Sequence, residues 1–341
     1  MKSLSVHRST GSRGRVELGL IGSVTLTLFI STGLSAGTLN GVAGFAGGAV
    51  VVGEGPKILF SPPPHTVYSE AATSLESEDL WDVAWIDDVS LYIAVGSGDS
   101  LLISNTSTGN AWSTRPMLLS ADLRGVIEFT SSVTRAGAVG VNGSIVRTTS
   151  RELGGWVQEA TPVTETLWDL AQGTLNAVAV GENGTILKGS RDGTAWTLVA
   201  SPVATDLYGV AREWLGNYIA VGEGGVILRA TGAGTDWVRV ATPDSSTVLY
   251  DIVESGLTSP LVAVGSSGAI WISINGGLDW EAQNSYTHAD LRSVTHTGSY
   301  FLAAGSAETV VWSTDAYTWN VQITPVKPST WGRIKSSYGK P

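Results

Sequence analysis

The chain has 341 residues, a formal charge of −10 at pH 7 and no cysteine. The acidic balance argues against nucleic acid, whose binding needs a basic footprint that releases counterions. The lack of thiols excludes disulfides, thiolate metal sites and lipid attachment through cysteine.

Residues 1–38 stand apart. Lys2, His7, Arg8, Arg13 and Arg15 precede an uncharged run from Leu18 to Ala36. A basic start, an apolar stretch and a small residue at its end are the pattern of an export signal. The same run, about nineteen residues, is also just long enough for a membrane anchor. Val24–Ser31 is β-branched and partly alternating, which favours a strand and leaves an ordered attachment arm as the third expectation.

From Leu39 onward one unit repeats. Its L-x-x-V/L/I starts fall at Leu39, Leu80, Leu123, Leu167, Leu207, Leu249 and Leu291, spaced 41, 43, 44, 40, 42 and 42 residues apart. Self-similarity at this period means one supersecondary unit stacked on its neighbours. The fifth copy shows its grammar in four short apolar runs: Leu207–Ala211, Tyr218–Gly222, Val226–Thr231 and Trp237–Ala241. Four strand signals per forty residues, bounded by Gly, Asp and Pro, predict an all-β, seven-bladed propeller of four-stranded antiparallel blades. It should run over 39–326, with a tail at 327–341.

Two recurring residue types serve this architecture. The second strand of each unit ends in a glycine (Gly53, Gly96, Gly140, Gly181, Gly222, Gly265 and Gly305), and in six units a second glycine follows within three residues. Such pairs supply the positive φ of tight corners. The last unit reads Ser306-Ala307-Glu308 instead, so its corner is expected to differ. An indole recurs at the fourth strand, at Trp112, Trp156, Trp196, Trp237, Trp280 and Trp319, with Tyr68 in the first unit. Its regular place marks it as a packing anchor.

The turn before that indole carries a pattern of its own. Ser190, Asp192 and Trp196 give the clearest copy, Asp315 and Trp319 another, and Asn275 and Trp280 an Asn variant. An Asp or Asn here accepts hydrogen bonds from its own turn while the Trp plugs the space beneath. Together with A-V-G-x-x-G-x-I, these residues resemble the Asp-box (bacterial neuraminidase repeat) propellers. Their phrasing is similar to the photosystem II stability and assembly factor family over about 39–326. The resemblance implies a seven-bladed ring that is not an enzyme, needs no cofactor and acts in binding or assembly. Similar repeats in secreted and phage-tail proteins imply a setting outside the cytoplasm or on a virion.

Catalytic constellations are thin. His7, His65, His288 and His296 lack metal-ligand spacing, and no nucleophile elbow is present. A sialidase-like glycosidase needs an arginine trio, of which only Arg124 and Arg292 stand at equivalent places. The informative position is one residue past each start: Asn40, Trp81, Arg124, Trp168, Tyr208, Tyr250 and Arg292. If the first strand is innermost, these seven ring one mouth of the channel, and Trp, Tyr and Arg are the types that dominate binding hot spots. Asp82, Asp169 and Asp251 follow three of the aromatics and are expected to tie neighbouring strands together. The expected partner is a protein or glycan held at the mouth. The alternatives are a virion tail or decoration component attached through residues 1–38, a photosystem assembly-like factor, and the glycosidase.

Overall fold

The structure is a computed structural model. It describes residues 15–19, 25–29 and 37–323, with gaps at 64–66, 76, 99, 116–120, 132–133, 151–152, 241–243 and 257–259. His7, His65 and the tail with Trp331 lie outside the described residues.

Contacts divide the chain into a unit ending at Ala36 and one beginning at Gly37. In the first, Arg15–Gly19 and Thr25–Phe29 pair as an antiparallel hairpin, with Glu17 opposite Thr27. The strand expected from the β-branched run is therefore present. No helix among the described residues is long and apolar enough to cross a membrane.

The second unit is a seven-bladed β-propeller. Each blade is a four-stranded antiparallel sheet with its strands in chain order. The first strands are Leu39–Phe45, Leu80–Ile86, Leu123–Glu128, Leu167–Gln172, Leu207–Arg212, Leu249–Val253 and Leu291–His296. Each packs against the first strand of the next blade, and the seventh packs against the first, which closes the ring. Seven apolar clusters fill the spaces between blades, one per interface. The leucine that opens every first strand is at most 2% exposed. Burying such a side chain contributes roughly 1.5–3 kcal/mol.

Among the described residues, closure uses side chains and backbone, not strand exchange. Leu39, Val42 and Val51 pack with Leu302, Ala304 and Val310. The Val42 N–H donates to Ser293 Oγ at 3.2 Å. Lys57 pairs with Glu308, whose N–H donates to the Gly37 carbonyl at 3.0 Å.

Two expectations are corrected here. The glycine ending each second strand is not there for positive φ: Gly140 and Gly305 are extended, at φ −171. A methyl group on either would overlap the carbonyl oxygen of Asp122 or Asp290, at the start of the neighbouring first strand. Close approach selects glycine at this position, and only the second glycine of each pair needs left-handed backbone. The seventh blade also keeps the same 3₁₀ corner as the third to sixth blades instead of differing. Ala307 (φ 55) and Glu308 (φ 53) accept the left-handed conformation there. That strain sits where Glu308 reaches across the seam.

The indoles do more than pack. In all six blades that carry one, the Trp Nε1–H donates to the carbonyl three residues earlier, as in Trp196 to Gly193 at 3.0 Å and Trp319 to Ala316 at 2.7 Å. Each indole therefore clips the turn before the fourth strand. Trp237, Trp280 and Trp319 stand one residue before that strand, whereas Trp112, Trp156 and Trp196 open it. The carboxylate of Asp192 accepts from the Ser190 hydroxyl at 2.7 Å, and Asp315 accepts from the Thr318 N–H at 2.7 Å. Asn275 Oδ1 accepts from the Asp279 N–H at 2.9 Å.

Candidate functional site at the channel mouth

The seven positions after the strand starts share one backbone feature. In every blade the pairing of the first strand with the second skips one residue, and the skipped residues are Asn40, Trp81, Arg124, Trp168, Tyr208, Tyr250 and Arg292. A β-bulge re-aims a side chain that strict alternation would bury against a neighbouring blade. All seven are half-buried, each next to a fully buried leucine.

They converge on one cavity of about 630 Å³, completed by Glu223 and Val248. Arg124 stands between Trp81 and Trp168, and three aromatic rings in succession run from Trp168 to Arg292. The Arg124 guanidinium lies 4.1 Å from the Trp81 ring centroid and 5.5 Å from that of Trp168. Trp168 meets Tyr208 edge-on at 5.7 Å, Tyr208 meets Tyr250 at 5.9 Å, and Arg292 lies 4.0 Å over Tyr250. Asn40 closes the circle by donating from Nδ2 to the Leu80 carbonyl at 2.9 Å.

An aspartate two residues earlier holds the polar head of three of these side chains. Asp122 faces Arg124 at 3.4 Å, Asp206 accepts from Tyr208 Oη at 3.3 Å, and Asp290 faces Arg292 at 3.0 Å. The other oxygen of each takes a backbone N–H from the preceding blade's turn, at Gly98, Asn183 and Ser267 respectively. Burial, with Asp206 alongside, pushes the Tyr208 hydroxyl up to about 12.

The same seven residues, with Asp82, Asp169, Asp251 and Ser293, also wall a smaller space of about 80 Å³. Each carboxylate spans two blades. Asp82 accepts from its neighbour Val83 and from Val126 of the third blade, both at 2.8 Å. Asp169 does the same with Leu170 and Val210 at 2.7 Å, and Asp251 with Ile252 at 2.6 Å and Val294 at 2.8 Å. The expected strand ties are thus in place, and Ser293 makes the corresponding link to the first blade. Gly41, Gly125 and Gly209 alternate with these acids around the ring. A Cβ on Gly41 would lie 2.7 Å from Asp82 Cα, so glycine is what lets the acid-bearing strand come so close. Burial pushes Asp82 up to about 8 and Asp251 to about 6, and burial together with Asp251 holds Asp169 well above the usual range.

The mouth holds four donors without a protein partner. Trp81 Nε1, Trp168 Nε1, Arg124 Nε and Arg292 Nε are fully buried yet bonded to no protein acceptor. Buried polar groups are rarely left unpaired, and each exception needs a reason. A third arginine does not line this cavity among the described residues, so the glycosidase trio is not assembled. Nor do three His, Asp or Glu side chains converge there or elsewhere among those residues to hold a metal ion.

No protein-family model matches the chain, and no curated protein does. Solved structures do. YCF48 bound to D1 peptide superposes with a TM-score of 0.68 at 14% identity, covering 92% of this chain and 99% of that one. YCF48 from Cyanidioschyzon merolae gives 0.65 at 14%, covering 82% and 96%. A catalytically inactive virginiamycin B lyase from Staphylococcus aureus, with quinupristin, gives 0.68 at 13%, covering 86% and 96%. At these identities the likeness shows the fold, a seven-bladed propeller, and no role. It also corrects one expectation. The inference that this chain is not an enzyme rested on the family it resembles, and the same fold is shared with a lyase, so the architecture gives no ground for that exclusion.

Proposed function

We propose that the chain is a recognition propeller that holds a segment of a partner protein in its channel mouth. The observation that carries this reading is one cavity of about 630 Å³ walled by four aromatic rings and two guanidinium groups, with four buried N–H donors of those residues left without a protein acceptor. The cavity's volume falls within the roughly 300–1,000 Å³ of ligand sites. A peptide supplies what that wall lacks: carbonyl oxygens for the indole and guanidinium N–H groups, and side chains to lie against Trp81, Trp168, Tyr208 and Tyr250. The peptide-bound state of YCF48, a protein of the same fold, lends support. Attachment through residues 1–38 and a setting outside the cytoplasm or on a virion belong to the same proposal. Intact mass of the native protein tests them, since loss of about 36 residues would mark export.

Selection from a random peptide display library tests the site. Peptides enriched on the wild-type protein should be lost by the double variant Trp81→Ala/Trp168→Ala while its melting temperature stays within a few degrees. Equal retention by the double variant would remove the mouth as the binding surface.

A further inference from the structure

The face that carries the mouth is made of strand starts and of the turns joining second and third strands, and both are rich in acid. Asp79, Asp122, Asp206 and Asp290 stand one residue before a strand start, each giving one oxygen to a turn N–H of the preceding blade at 2.9 Å. Glu54, Glu182, Glu223 and Glu308 sit in those turns. Among the described residues, three cations answer these carboxylates. Lys57 is paired with Glu308 at the seam, while Arg124 and Arg292 are held by Asp122 and Asp290. Both mouth guanidinium groups are therefore compensated locally. With both guanidinium groups paired, the eight rim carboxylates named outnumber the three cations, and such an acidic rim raises the encounter rate of the opposite charge.

We propose that the segment read by the mouth is basic: a Lys- or Arg-bearing stretch of a partner protein. Its apolar and carbonyl groups enter the aromatic cavity while its cations meet the acid rim. The inference rests on the peptide-binding reading above and adds the partner's chemistry. The rim selects by charge, and the cavity N–H groups donate to main-chain carbonyl oxygens whatever the sequence.

Three fluorescein-labelled peptides with identical apolar residues, whose remaining positions are all Lys, all Ser or all Glu, test it against the full chain. The Lys peptide should bind about tenfold or more tighter than the Ser peptide at about 0.01 M salt, where the Debye length is about 30 Å. That advantage should vanish near 1 M salt, where it is about 3 Å. Glu182→Gln/Glu223→Gln should remove most of the advantage, whereas Trp81→Ala/Trp168→Ala should weaken both the Lys and the Ser peptide. A Glu peptide that binds as tightly as the Lys peptide, and does so through the two indoles, overturns the charge inference and leaves the mouth reading intact. Lys-peptide binding indifferent to the indole variant overturns both.

Discussion

Asp82 joins the first strands of the second and third blades as an acid whose pKa burial has pushed up to about 8, against 3.8 ordinarily. The folded chain therefore binds this proton more readily than the unfolded chain. Stability from this group is full below about pH 4 and is lost as the pH rises through about 8. Within that window one pH unit corresponds to about 1.4 kcal/mol, so from about pH 5 to about pH 7 the group removes up to about 3 kcal/mol. Asp251, raised to about 6, acts with the same sign in the lower part of the window. Asp192 and Asp315 act with the opposite sign. The Ser190 hydroxyl and the Thr318 N–H hold them below the usual range, so their contribution is lost only as the pH falls below about 4. Urea unfolding followed by tryptophan fluorescence at about pH 5 and pH 7 measures the effect, with Asp82→Asn as the non-titrating control. The variant should be weaker by about 1–3 kcal/mol at pH 7, because an amide cannot accept from both Val83 and Val126, and its deficit should be larger still at pH 5. Its difference between the two pH values should shrink by up to about 3 kcal/mol. A wild-type stability that does not fall between those pH values, or a variant that falls in parallel with it, would refute the assignment.

Further outcomes follow from the same contacts. Gly140→Ala should destabilise by about 3 kcal/mol or more, because the new methyl overlaps the Asp122 carbonyl. Gly55→Ala meets nothing within 4 Å and should lose only about 1–2 kcal/mol to its positive φ; thermal melts of the two variants compare close approach with backbone strain. Trp196→Ala, at a side chain 7% exposed, should lose about 3–5 kcal/mol in denaturant unfolding. Half-buried Trp81→Ala should lose about 1 kcal/mol or less. Ser190→Ala removes the acceptor for the Thr194 and Ala195 N–H groups at 3.0 and 3.1 Å and should lower the unfolding free energy by about 1–3 kcal/mol.

The ring could be read from sequence because every blade solves the same packing problem with the same residues, so Leu80, Gly140 and Trp196 each announce a position. Their reasons were less accessible. Gly140 reads as a turn residue, yet its neighbour is a carbonyl of the first strand, a contact that exists only once the sheet has formed. The bulge had a signal. Buried residues three apart, as in Leu80 and Val83, cannot share one face of a strand with period two unless a residue between them is skipped. The place of the seven mouth residues follows from that skip. The alternation of Gly41, Gly125 and Gly209 with Asp82, Asp169 and Asp251 was visible as letters, but its cause is the packing of neighbouring strands around the axis. Glu223 and Val248 reach the cavity from a turn and from the residue before a strand start, and no periodicity marks them.

A crystal structure of the full chain with a display-selected peptide tests the central claim most directly. The peptide should thread the space between Trp81, Trp168 and Tyr250, with its carbonyl oxygens within hydrogen-bond reach of both indole N–H groups and of Arg124 Nε. A peptide seated on the outer strands or on the opposite face, with those donors still bare, would contradict the account.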